Sequence, residues 1–191
     1  MLELAKSTDT VIGTVSKQTG TTNAVKGGGV FTVQCYDKDG NLKWESKSHN
    51  LVVNVGLQDM NTKYFTGATY TAAWYIGLYG AGSTNNPAAG DTASSHAGWT
   101  EVTTYSQATR PQATFGTATT ADPSVISNSA SPAAFSINGT TTVGGAFLIS
   151  NSTKGGTTGT LFSASDFTGG DRAVVSGDTL NVTYQFSLDA A

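Results

Sequence analysis

The sequence predicts an all-β fold, an antiparallel β-sandwich of jelly-roll type with one short helix. Three observations predict it. Charged residues make up only 12% of the 191 residues, against roughly a quarter in ordinary soluble domains. The missing charge is replaced by Ser, Thr, Asn, Ala and 23 Gly, a composition poor for helices and suited to strands joined by tight turns. Short runs of period-two alternation recur along the chain, separated by Gly- and Asp-rich punctuation.

The elements follow in order. Residues 1–29 are polar, carry no aromatic residue and end in Gly27, Gly28 and Gly29. Such a run cannot build a core, and it reads as an extended arm that orders against a neighbour, with the three glycines as a flexible joint. Lys6, Val11, Val15, Val25, Gly27, Gly28 and Gly29 are the candidate partner-binding residues of that arm. Residues 30–191 form the sandwich domain. Residues 30–36 alternate, Asp39-Gly40 marks a turn, and residues 42–46 return with Leu42 and Trp44 on one face. Leu57, Met60, Tyr64 and Phe65 recur at helical spacing behind Asn54, a candidate N-cap, which predicts a helix of about ten residues.

Further strands are expected at residues 73–79, 99–105, 111–120, 133–137, 143–150, 160–164 and 180–188. Pro111 puts its run at a sheet edge. The long polar loop of residues 80–95 is a candidate functional segment. The single cysteine, Cys35, shares a face with Phe31 and Val33 and reads as a small core residue, so no intrachain disulfide forms.

Chemistry is sparse. The net charge of −3 and the scattered Lys and Arg give no basic patch for nucleic acid. No run approaches the apolar length of a membrane span. Residues 1–6 lack a basic region followed by an apolar stretch, which predicts synthesis in the cytoplasm. The two histidines, His49 and His96, have no metal-ligand spacing, and no cofactor or metal is expected. Asp37, Asp39 and Asn41 are spaced like calcium ligands. The loop nevertheless has Gly40 at its fourth position and Ser48 at its twelfth, so a plain turn is the better reading.

Glu45 and Glu101 could form a hydrolytic carboxylate pair. Each lies next to a tryptophan on an expected strand, so with Trp44 and Trp99 inside, both glutamates face solvent. Trp74, Tyr75, Tyr79, Trp99 and Tyr105 could stack on sugars, although core packing explains rings on alternating strands. No catalytic set emerges, and the chain reads as a non-enzyme.

Several segments resemble a family of tailed-bacteriophage virion proteins. They are Asn41-Leu-Lys-Trp-Glu45, His49-Asn-Leu-Val-Val-Asn-Val-Gly-Leu57, Ala73-Trp-Tyr-Ile-Gly-Leu78 and residues 90–101, 105–111, 144–162 and 177–184. The resemblance spans roughly residues 30–188 and implies a structural role without catalytic residues. Similar small β-proteins act as capsid cement or decoration, commonly as jelly-roll trimers. It therefore implies a homotrimer that binds the major capsid protein on the virion head. The alternative is a tail or fibre component that binds host-surface glycans through the loop of residues 80–95. A hydrolase of cell-envelope polymers is a third and weaker reading.

Overall fold

The computed structural model describes residues 25–70, 73–80 and 87–190. The strands are β1 (Val25–Tyr36), β2 (Leu42–His49), β3 (Leu51–Val52), β4 (Tyr75–Gly80), β5 (Ser124–Ser127), β6 (Ala133–Ser136), β7 (Thr141–Ile149), β8 (Leu161–Asp166), β9 (Arg172–Val174) and β10 (Thr179–Ala190). The one helix described, α1 (Asn54–Thr66), follows β3.

Two antiparallel sheets pack face to face, as the composition predicts. The first runs β2-β1-β10-β5, with β6 also on β10; the second runs β3-β8-β7-β4, with β9 on β7. The narrower jelly-roll expectation is not established by these orders. The shared core is made by alternate side chains of the two inner faces. Phe31, Val33 and Cys35 of β1 and Leu180, Val182 and Tyr184 of β10 meet Ile76 and Leu78 of β4 and Ala146 and Leu148 of β7. Cys35 is fully buried, as its alternation predicts, and burial chiefly pushes its thiol up to about 11.

The β1–β2 hairpin forms where expected. Its turn is closed by the Asp37 carboxylate, which accepts from the backbone N–H groups of Asp39 and Asn41, while Gly40 takes the left-handed φ of 83° that the turn requires. Hydrogen bonds from Asn41 hold the Asp37 carboxyl below its ordinary range.

The glycine run at residues 27–29 is the first correction. Val25, Gly27, Gly28 and Gly29 are not a joint before the domain. They are the first part of β1, paired in register with Leu188, Ser187 and Phe186 for the glycines and with Ala190 for Val25. A Cβ on Gly29 would lie 2.5 Å from the Tyr184 hydroxyl and 2.9 Å from the Gln185 carbonyl oxygen. The glycine there serves close packing rather than bending. Lys6, Val11 and Val15 lie outside the described residues.

The second sheet is covered on both faces. Tyr79 and Phe147 point away from the main core and pack with Val53, Trp99, Ile149 and Leu161 in a second cluster. Gly77 and Gly145 make room for them, since a Cβ at either would overlap the ring of Phe147 or Tyr79. The lid over this face is the segment around residues 87–103.

Three sequence expectations differ here. Residues 99–105 and 111–120 are not strands. Residues 99–102 and 111–113 run along the open edge of β4 and bond to it at separate points, Val102 N to Leu78 O, Gly80 N to Thr100 O and Ile76 N to Pro111 O, whereas Gly116 and Thr119 bond to β5. The helix starts at Asn54 behind an extended Val53 that makes no side-chain cap, so Asn54 is not the N-cap. Its inward side is set by Val53, Gly56 and Met60. Gly56 lets α1 touch the backbone of Phe162, whose carbonyl oxygen would stand 2.5 Å from an added Cβ. Leu57, Tyr64 and Phe65 therefore point outward.

Candidate functional site

Two concave regions stand out, and their chemistry is opposite. The first lies on the lidded face and has a volume of about 330 Å³. Its polar centre is Arg110 and Glu101, whose side chains are 2% and 9% exposed. Arg110 donates Nε to Glu101 Oε1 at 2.9 Å and Nη2 to Oε2 at 2.7 Å, a bidentate pair. Its remaining bonds go to the carbonyl oxygens of Asn151 (2.9 Å) and Gly156 (2.7 Å), and Glu101 also accepts from Gly155 N at 2.8 Å. Glu101 is thus not solvent-facing, as the strand reading expected, because its segment is not a strand and Arg110 turns it inward. Glu45 is exposed on β2, bonded by Gln34 Nε2, and the two glutamates do not form a pair across a cleft.

Neighbouring groups are similarly engaged. The Asp91 carboxylate accepts from Trp99 Nε1 and Ala88 N. The His96 ring stacks on Trp99 with centroids 3.8 Å apart, and its Nδ1 lies 3.0 Å from the Trp99 carbonyl oxygen. Tyr79 donates its hydroxyl to Asp166 at 2.6 Å. Burial, then the Asp166 bond, drive the Tyr79 hydroxyl far above its usual range, and burial raises Asp166 as well. Among the described residues no group of three or more His, Cys, Asp or Glu is placed to hold a metal ion.

The candidate sugar platform is not a surface. Tyr79, Trp99 and Tyr105 are buried, and Trp74 and Tyr75 are half-buried in the two clusters. His49 is exposed at the end of β2. Of the loop at residues 80–95, residues 81–86 lie outside the described residues.

The second region is a groove of about 790 Å³ at one end of the sandwich. Here residues 25–29 of β1 run on beyond β2, still paired with β10, which β5 flanks on its other side. The inner face of β10 presents Phe186, half-buried with its ring against Phe162, and the exposed Leu188, whose partner Gly27 has no side chain. Tyr64, Phe65 and Tyr70 form one wall, Phe115 and Ile126 another, and Trp74, Leu148 and Phe162 the floor. Tyr64, Phe65, Tyr70 and Val25 are 74%, 77%, 68% and 71% exposed. This apolar surface is continuous with the core, because Leu148, Phe162 and Tyr184 belong to both. The charged pair at the rim, Asp59 with Lys63 at 2.8 Å, is an i, i+4 pair on α1.

Sequence reasoning did not locate this groove. Val25, named there as a residue of the arm, lines it from the start of β1, and of the residues grouped at helical spacing Leu57, Tyr64 and Phe65 are exposed while Met60 packs on the core. The signal that could have found it is the pairing of two adjacent aromatics, Tyr64-Phe65, with a helix whose inward positions are small.

Among the described residues no helix is long and apolar enough to cross a membrane. No known family model matches the chain, and no curated protein matches it in sequence.

Proposed function

We propose that this chain is a bacteriophage capsid cement or decoration protein that binds the major capsid protein on the outside of the head and strengthens the shell as a homotrimer. The observation that carries the reading is the open apolar end: Val25, Tyr64, Phe65, Tyr70 and Leu188 exposed together around a groove. A low-charge sandwich with such an end is built to be covered by protein. Adhesion by many modest contacts gains by multivalence on a repeating lattice. The phage-like segments noted in the sequence point the same way.

The geometry favours docking through this end over strand addition at a sheet edge. The outer edge of β5 is occupied by Gly116 N on Ser127 O and Thr119 N on Val125 O. The outer strand β2 exposes Glu45 and Lys47, charges that discourage pairing with another strand.

Co-sedimentation with purified heads tests the proposal. The wild-type protein should pellet with them, and Tyr64→Asp combined with Phe65→Asp should leave it folded in the supernatant. A copy number in proportion to the major capsid protein is expected on intact particles. A handful of copies per particle, or full retention of the double variant, would refute the reading.

A further inference from the structure

One asparagine of the chain is followed by glycine: Asn138, in the connector between β6 and β7. Asparagine is among the thermolabile residue types, and its surroundings decide whether it reacts. The connector is short and held at both ends. Ile137 before it is buried, donates its N–H to Asp178 O at 2.8 Å and accepts from Gly177 N at 2.9 Å, and β7 begins at Thr141 after it. Between these anchors Asn138 is exposed. Among the described residues none is hydrogen-bonded to its carboxamide or to the backbone N–H of Gly139. The carboxamides of Asn50, Asn128 and Asn151, in contrast, each both donate and accept.

Gly139 is a glycine for a packing reason. Its φ is not left-handed, yet an added Cβ would lie 2.8 Å from Thr104 Cγ2. The close approach of Thr104 favours a residue without a Cβ, and such a residue leaves its own backbone nitrogen unshielded.

We propose that Asn138 is a site of spontaneous modification, where the folded protein converts asparagine through a cyclic imide to aspartate and isoaspartate. The Gly139 nitrogen, its proton taken by hydroxide, attacks Cγ of Asn138. The N–Cγ bond forms, the Cγ–Nδ2 bond breaks, and the amide nitrogen leaves as ammonia with a proton from water. Water then opens the ring. Attack at Cγ gives aspartate in the ordinary linkage. Attack at the main-chain carbonyl carbon leaves Gly139 joined through Cγ, as isoaspartate. Water is the only reagent consumed, and nothing is oxidised or reduced. Either product adds a carboxylate to a chain of net charge −3, and isoaspartate also lengthens the connector by a methylene group.

The one Asp-Gly dipeptide supplies the contrast. Asp39 is also exposed and could close the same ring onto Gly40. There the Gly40 N–H is tied to Asp37 O at 3.0 Å within the turn, and the Asp39 carboxylate is paired with Lys38 at 2.8 Å. An ionised carboxylate is also a poorer electrophile than a carboxamide. The reactive site lies far from the groove. Ser136 pairs with Thr179 at the start of β10, whereas the groove surrounds Leu188 near its end. The inference goes beyond the head-binding proposal and does not depend on it, because it concerns a change in the free protein with age.

Ageing of the full-length protein in mildly alkaline heavy-oxygen water tests it, beside a synthetic peptide of residues 133–145. Digestion and fragment mass spectrometry should find heavy oxygen in aspartate and isoaspartate at position 138. They should form at a rate within a few-fold of the peptide's, with residue 39 unchanged. Conversion an order of magnitude slower than in the peptide, or isoaspartate accumulating first at residue 39 or at another asparagine, would overturn the proposal.

Asn138→Gln gives a second reading. Glutamine would have to close a larger ring, and the exposed side chain at this position holds no hydrogen bond whose loss could unfold the domain. The acidic charge variant that builds up in the wild-type protein should form several-fold more slowly in Asn138→Gln. Equal accumulation in the two proteins would overturn the proposal. Neither readout involves phage heads, so failure here leaves the head-binding proposal standing, and failure there leaves this one.

Discussion

Alanine at Gly29 and alanine at Gly28 should have opposite effects, although the two residues are neighbours in one glycine run. At Gly29 the added methyl would lie 2.5 Å from the Tyr184 hydroxyl and 2.9 Å from a backbone carbonyl oxygen of β10, which cannot yield. Tyr184 is fully buried and its hydroxyl accepts from Asn50 Nδ2 at 2.8 Å and Ser163 Oγ at 3.3 Å. Asn50 in turn binds the backbone of Gly29 in both directions. Displacing Tyr184 therefore disturbs a network that joins the two sheets. Overpacking costs about 1–3 kcal/mol, and loss of the hydrogen bonds brings the total to about 2–4 kcal/mol. In a domain of this size that is a fall in Tm of about 5–15 °C. At Gly28 nothing lies within 4 Å of an added Cβ. There alanine restricts the unfolded chain and should stabilise by about 0.4–1 kcal/mol. Urea unfolding followed by tryptophan fluorescence measures both. Equal destabilisation by the two substitutions, as a flexible joint would give, or a Gly29→Ala protein as stable as wild type, would refute the close-packing argument.

Three other outcomes follow from the buried polar groups. Arg110→Met leaves the Glu101 carboxylate buried without its partner and should cost about 3–5 kcal/mol, with much of it recovered when Glu101→Gln is added; denaturant midpoints decide, and a loss under about 1 kcal/mol for the single variant would contradict the geometry. Asp166 holds its proton more tightly folded than unfolded, so its contribution to stability falls as pH rises from the unfolded carboxylate range through the raised native value. Asp166→Asn should remove that slope while keeping an acceptor for Tyr79, which melting curves between pH 3 and 8 would show; an unchanged slope would contradict it. Cys35, with its thiol raised to about 11 and no exposure, should resist iodoacetamide at pH 8 in the native protein and react once the chain is unfolded in denaturant; native labelling at the unfolded rate would contradict its place in the core.

What the sequence reveals and what it conceals divide along local and non-local causes. The hairpin around Asp37 is legible because its turn is closed by its own residues, and β10 is legible because Leu180, Val182 and Tyr184 alternate on one buried face. Residues 99–105 carry the same alternation, yet bond only singly to β4, because that edge also takes bonds from residues near Pro111. The role of Glu101 is concealed for the same reason. Its neighbour parity predicts exposure, and only the fold brings Arg110, one of two arginines in the chain, against it. β6 forms where the run at residues 133–137 predicts it, but β5 has no such signal. Both pair with β10, and between them Asn128 replaces backbone with side chain, donating Nδ2 to Val182 O at 3.2 Å and accepting from Tyr184 N at 2.6 Å. A buried Asn acting as a piece of strand leaves no periodic trace. The groove escapes because exposure of Tyr64 and Phe65 follows from Gly56 seating α1 on Phe162, a contact between distant residues.

The placement of the few charges bears on how such a chain would work. Arg110 spends four of its donors on Glu101, Asn151 and Gly156, fastening the lid to the loop that follows β7. Asp178 accepts from Lys43 Nζ at 2.6 Å and from Val175 N, tying β2 to the turn before β10, and that bond raises Lys43 above its usual range. Asp91 fixes Trp99 over the second sheet. In a chain with a single cysteine, these bonds take the part that disulfides play in other small β-domains, joining loops distant in sequence. A carboxylate or guanidinium so engaged is poorly placed to move a proton or meet a substrate, because releasing it would leave a buried partner unpaired. The interactions still to be satisfied lie instead at the apolar end, among Phe65, Phe186 and their neighbours, where burial requires only a surface of matching shape. That division, with charge as internal fastening and apolar area as the open face, is the physical reason to look for the partner at the end of the sandwich rather than in the cleft beside Arg110.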